Sequence, residues 1–111
     1  MQRVAFVMHV KESQEAEYVR RHREVWPQVL ADLERAGVEQ MNIFMTGRQL
    51  FLYMEVDDYA EAARILGECP ESVRWEAYME PIMEDAGGQD YDPENPYPDS
   101  LPEVFFWRKG A

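Results

Sequence analysis

At 111 residues, with 46% hydrophobic and 30% charged side chains, the chain has the make-up of a single globular domain able to bury one real core. Eleven basic against 22 acidic residues leave a formal charge of −11, which argues against nucleic acid or anionic lipid as a partner and is compatible with a neutral small molecule. Cys69 is the sole cysteine, so no internal disulfide forms and a reducing compartment, the cytoplasm, is expected. No signal-peptide anatomy shows at MQRVAFVMHV, and no segment approaches the roughly 18 apolar residues of a membrane helix.

Val4–Val10 is a β-branched and aromatic run too continuous for one wet face, and predicts a first strand covered on both sides. Ser13 is placed to cap the helix that follows, with Glu15 and Glu17 complementing the positive end of its dipole. Tyr18, His22, Trp26, Val29, Leu33 and Ala36 recur at three- and four-residue steps, a continuous apolar stripe that Gly37 ends. Pro27 interrupts it, because proline disfavours helical geometry at Trp26; a kink or a restart is expected there. Val38–Thr46 alternates, Gly47-Arg48 is a tight turn, and Leu50–Val56 completes a hairpin. Asp58 and Glu61 resemble a capping box for a short helix ending at Gly67. Pro70 opens another helix that bends at Pro81. Residues 86–102 hold four of the seven prolines and read as one long loop before a last strand at Glu103–Trp107.

The order is βαββαβ, a ferredoxin-like α+β arrangement with an antiparallel sheet. With helices on one sheet face, the other is left apolar; a second copy of the chain packing on it, or a lid from the long loop, would cover it.

Tyr18 and His22 are four residues apart and share a helical face, so a phenol and an imidazole together could orient a hydroxylated ligand and move its protons. On spacing alone, packing in an amphipathic stripe is the simpler account of both. Trp75 and Glu76 offer an aromatic face for the C–H side of a sugar and a carboxylate for its hydroxyls, with core packing and solvent exposure as the plainer alternatives. Arg20, Arg21 and Arg23 fall on other helical faces and read as solvated surface, His9 as a satisfied core histidine, and Glu55 as a lesser acid–base candidate. No phosphate loop, metal-ligand spacing, nucleophile elbow or dinucleotide fingerprint occurs, so the chemistry narrows to positioned acids and bases without metal or cofactor.

These segments together resemble the L-rhamnose mutarotase family. EYVRRHREVWP is similar to the family's helix signature E-Y-x-x-R-H-x-x-x-W-P, and VAFVMHV, RWEAYM and EVFFW match further family segments in the same order, essentially end to end. The resemblance implies a cofactor-free isomerase, a homodimer of ferredoxin-like subunits that interconverts the α and β anomers of L-rhamnose. It implies His22 as the proton-donating residue, acting on the ring oxygen, with Tyr18 and Trp75 as sugar-binding residues. Glu76 stands where the family has a second tryptophan, and Met41 where it has a sugar-contacting tyrosine. Both departures lie on the sugar side of the site, which puts L-fucose beside L-rhamnose as substrate. The same architecture also serves cofactor-free or haem-linked monooxygenases, and non-enzymatic sugar-binding or stress-response barrels.

Overall fold

A computed structural model describes residues 1–110. Four strands form one antiparallel sheet in the order β2-β3-β1-β4: β1 Gln2–Val10, β2 Val38–Thr46, β3 Gln49–Val56 and β4 Met83–Glu84. Four helices interleave with them: α1 Glu15–His22, α2 Pro27–Arg35, α3 Tyr59–Gly67 and α4 Pro70–Met79, the last followed by a 3₁₀ turn at Glu80–Ile82. The ferredoxin-like α+β order expected from the sequence is therefore present, with each of its two helical connections in two pieces.

Strand alternation decides which face is buried. Val4, Phe6, Met8 and Val10 of β1 share one face with Leu50, Leu52, Met54 and Val56 of β3, and all eight are buried. Met41, Ile43 and Met45 of β2 fall in register with Met54, Leu52 and Leu50 and extend that face to the sheet edge. The helices cover it. On the opposite face, Phe44, Phe51 and Val7 stand in one cross-strand row, and Phe44 remains 62% exposed.

Local chemistry sets the breaks. Trp26 is extended (φ −60, ψ 133), as a residue before proline prefers, and Pro27 occupies the first turn of α2, where its missing N–H leaves no bond unmade. The stripe therefore restarts at Pro27. Gly37 follows α2 at φ +90, where a side chain would be strained, and a Cβ there would come within 3.2 Å of the Asp57 carboxylate. Gly47, at φ +57, supplies the positive φ that two-residue hairpin loops use. Asp32, buried on α2, accepts from Gln28 at 2.9 Å and from Ser72 of α4 at 2.8 Å, tying the two helices together below the sheet.

Three local expectations need correction. Ser13 does not cap α1: it sits at φ +69 in the preceding turn, and the capping position is Gln14, with no side-chain bond. The last strand is Met83–Glu84, paired with His9 and Val10 of β1, while Glu103–Trp107 forms no strand. Strand-forming side chains need a pleated neighbour to pack on, and β1 already gives one end of its free edge to β4. The tail only touches the rest: the Leu101 amide donates to the Ala5 carbonyl at 2.7 Å, and Arg3 forks onto Glu103 at 2.8 Å. His9 is not in the core either. It is half-buried on the open sheet face, where Nδ1 lies 3.1 Å from the Asp85 carbonyl.

The Asp58 carboxylate accepts from the Glu61 amide at 3.1 Å and caps α3. Asp58→Ala should lower stability by about 1 kcal/mol in urea unfolding, and Asp58→Ser should restore most of it.

Candidate active site

The last turn of α1 positions the histidine. His22 Nδ1 lies 3.1 Å from the carbonyl of Tyr18, one turn earlier. A carbonyl only accepts, so Nδ1 carries the proton and Nε2 keeps its lone pair. The imidazole stacks on the Tyr18 ring (centroids 4.2 Å apart, planes at 26°) and meets Trp75 of α4 edge-on at 5.6 Å. Trp26, in the break between α1 and α2, in turn meets Trp75 at 5.2 Å. The ring is thereby fixed on two sides. Burial lowers the pKa of His22 below its ordinary 6.5, partly opposed by the Tyr18 carbonyl, so the imidazole is neutral at pH 7.

These groups wall a cavity of about 340 Å³ between the sheet and the helices. Its floor is Phe6, Met8, Met41, Ile43 and Leu52 of the sheet; its sides are α1, α2 and α4; and Tyr91, Pro96 and Tyr97 of the long loop complete the lining. The volume is at the small end of the range for small-molecule pockets, and the mostly apolar lining with a few convergent polar groups is typical of them. Tyr18, buried and near the Glu76 carboxylate, has its phenol pKa pushed up, as do Tyr91 and Tyr97, so all three act as neutral hydroxyls at pH 7.

Glu76 is half-buried in the same wall, one residue after Trp75. The Tyr91 hydroxyl donates to its carboxylate at 2.5 Å. Burial raises its pKa to about 7, against the smaller lowering by the Tyr91 bond. Among the described residues, no group of three or more His, Cys, Asp or Glu side chains converges in the way a metal site needs.

The structure thus brings Tyr18, His22, Trp75 and Glu76 to one cavity, and Met41 lies on its floor. Glu55 is elsewhere: on the open sheet face, it accepts from Tyr53 at 2.8 Å. Arg21 is a correction. Its side chain is only 14% exposed, pairs with Glu17 at 2.7 Å, donates to the Tyr78 carbonyl at 2.6 Å and lies 3.9 Å over the Tyr78 ring, so it clamps α1 to α4. Sequence reasoning missed Tyr91 and Tyr97; the only available signal was two aromatic residues in a proline-rich loop.

An antiparallel sheet with helices on one face and a neutral histidine in a small-molecule cavity between them defines an α+β protein of ferredoxin-like type with acid–base capability. A sequence model of the family described as L-rhamnose mutarotase matches residues 3–106. The chain belongs to the L-rhamnose mutarotase family. It is 44% identical to an L-rhamnose mutarotase of Opitutus terrae over 75% of this chain and 81% of that one. It is 41% identical to an L-fucose mutarotase of Xanthomonas campestris over 71% of this chain and 69% of that one. A crystal structure of an L-rhamnose mutarotase from Formosa agariphila superposes with a TM-score of 0.75 at 28% identity, covering 97% of this chain and all of that one.

Imidazole NMR checks the state of His22 directly: the Nδ1–H tautomer with a titration midpoint below 6.5 is expected. An Nε2–H tautomer, or a midpoint above that value, would contradict the described environment.

Proposed function

We propose that the chain catalyses the anomeric interconversion of a 6-deoxyhexose, L-rhamnose or L-fucose, with His22 as the acid–base residue at the anomeric centre. The observation that carries this is the fixed neutral imidazole, its Nε2 unclaimed among the described residues, in the wall of a monosaccharide-sized cavity. Mutarotation moves one proton onto the ring oxygen and another off the anomeric hydroxyl; the ring opens to the aldehyde, C1 rotates, and closure on the other carbonyl face gives the other anomer. Tyr18 orients the sugar from α1, Trp75 packs on its C–H face, and Glu76 reaches its hydroxyls. General acid–base help of the 10²–10⁴-fold order suits a reaction that already proceeds unaided, and it requires no cofactor. Membership of the family leaves the monooxygenase and non-catalytic sugar-binding readings unfavoured.

The working unit in this reading is one domain paired with a second copy. Phe44 and Phe51 on the open sheet face, together with Val104, Phe105 and Trp107 of the tail, are large apolar side chains left exposed. A partner copy on that face would cover them. No helix among the described residues is long and apolar enough to cross a membrane, and the buried free thiol of Cys69 fits a cytoplasmic setting.

Saturation-transfer NMR on L-rhamnose and L-fucose tests the activity: accelerated anomer exchange with at least one is expected, and His22→Ala should lose about 10²-fold or more. Full activity in that variant would remove His22 from the mechanism. Light scattering tests the pairing: twice the chain mass is expected for the wild type, and half of that for the Phe44→Lys, Phe51→Lys double variant.

A further inference from the structure

Mutarotation needs two proton carriers at once, one on each oxygen of the anomeric carbon, and His22 presents only one free ring nitrogen. The remaining polar cavity walls are three tyrosines, an indole and one carboxyl group, that of Glu76. The tyrosines hold their protons at pH 7, and no arginine or lysine lines this cavity or the neighbouring one of about 470 Å³ that also borders Glu76. The groups that line these cavities with Glu76 are Tyr18 and His22 from α1, Tyr91 and Tyr97 from the loop, and Glu94 in the second cavity; α3 offers only Ala63, Leu66 and Gly67. No cation holds the carboxylate ionised. Tyr91 fixes it with a single bond, which leaves its other oxygen without a hydrogen-bond partner among the described residues.

Resting on the mutarotase reading above, we propose that Glu76 is the second catalytic acid–base group, paired with His22 across the sugar. In ring opening, His22 Nε2 takes the proton of the anomeric hydroxyl as the C1–O1 bond becomes a carbonyl. The C1–ring-oxygen bond breaks, and the ring oxygen takes the proton of the Glu76 carboxyl. This leaves the open aldehyde between an imidazolium and a carboxylate, whose opposite charges face one another across an apolar cavity. After C1 rotates, the ring hydroxyl returns its proton to Glu76, and the imidazolium protonates the new anomeric oxygen. His22 is thus the acceptor on opening and the donor on closure. The assignment follows from its Nδ1–H tautomer and reverses, for the opening step, the ring-oxygen donation that the sequence resemblance implied.

The working form has His22 neutral and Glu76 protonated. Its population rises as pH passes the lowered pKa of His22 and falls as pH passes about 7, where Glu76 ionises. The expected wild-type profile of kcat/KM for catalysed exchange is therefore a bell with an alkaline limb near pH 7.

Glu76→Gln keeps the shape and loses the proton. It should cut kcat about 10²-fold or more, leave sugar binding by calorimetry within a few-fold, and abolish the alkaline limb while the acid limb stays. Tyr91→Phe removes the bond that favours the ionised carboxyl, so its alkaline limb should move to higher pH. This variant decides the matter should Glu76→Gln fail to fold. Unchanged kcat and an intact alkaline limb in Glu76→Gln, or an unmoved limb in Tyr91→Phe, would overturn the pairing and leave the mutarotase reading standing. A wild type without catalysed exchange on either sugar would instead overturn that reading, and the pairing with it.

Discussion

The site depends on one short bond, from His22 Nδ1 to the Tyr18 carbonyl one turn back along α1. It does two things at once. It fixes the imidazole against the Tyr18 ring, and it decides which nitrogen is free for chemistry. Pro27 forces Trp26 out of helical geometry, the stripe breaks, and the residues between α1 and α2 turn toward α4 instead of continuing along the first axis. Trp26 and Trp75 then pack edge-on and hold the indole that holds the histidine.

Around that bond the fold supplies rigidity from two directions. The sheet gives a flat apolar floor whose alternation is set by β1 and β3, both long and fully paired with one another along their length. The helices give the walls, clamped by groups the chemistry does not use: Arg21 between Glu17 and Tyr78, and Asp32 between Gln28 and Ser72. The Gln28 amide, then the Ser72 hydroxyl, hold the Asp32 carboxyl below the usual carboxylate range. Its contribution to stability is therefore present near neutrality and lost as pH falls through that lowered value. The same low-polarity enclosure acts oppositely on the two groups within it. It discourages charge on both, so the imidazole gives up its extra proton at a lower pH than usual while the carboxyl keeps its own up to about 7.

Much of this was legible in the residues. The three- and four-residue stripe, its break at Pro27, the hairpin at Gly47 and the cap at Asp58 all follow from local rules, and the structure has them where those rules put them. His22 was visible as a candidate, but spacing could not separate a site from a packed stripe; only the resemblance carried by the matching segments favoured the site. What stayed hidden is non-local. A two-residue strand such as Met83–Glu84 has no periodicity to read, and an apolar run such as Val104–Trp107 looks like a strand although the chain itself gives it no partner. Arg21 reads as surface because helical position says nothing of the helix that comes to lie against it. Tyr91 and Tyr97 reach the cavity only because the long loop folds back over it, and that path is set by contacts far apart in sequence, such as Tyr59 donating to the Pro98 carbonyl at 2.6 Å.

A crystal structure with L-rhamnose or L-fucose bound would show where the two reacting oxygens of the sugar lie relative to His22 and Glu76. The sugar should occupy the cavity with its C–H face on Trp75. One oxygen of its anomeric carbon should lie within about 2.6–3.2 Å of His22 Nε2, and the other at similar reach of the Glu76 carboxyl. A sugar seated only in the neighbouring cavity or on the open sheet face, with His22 Nε2 bonded to no part of it, would contradict that arrangement.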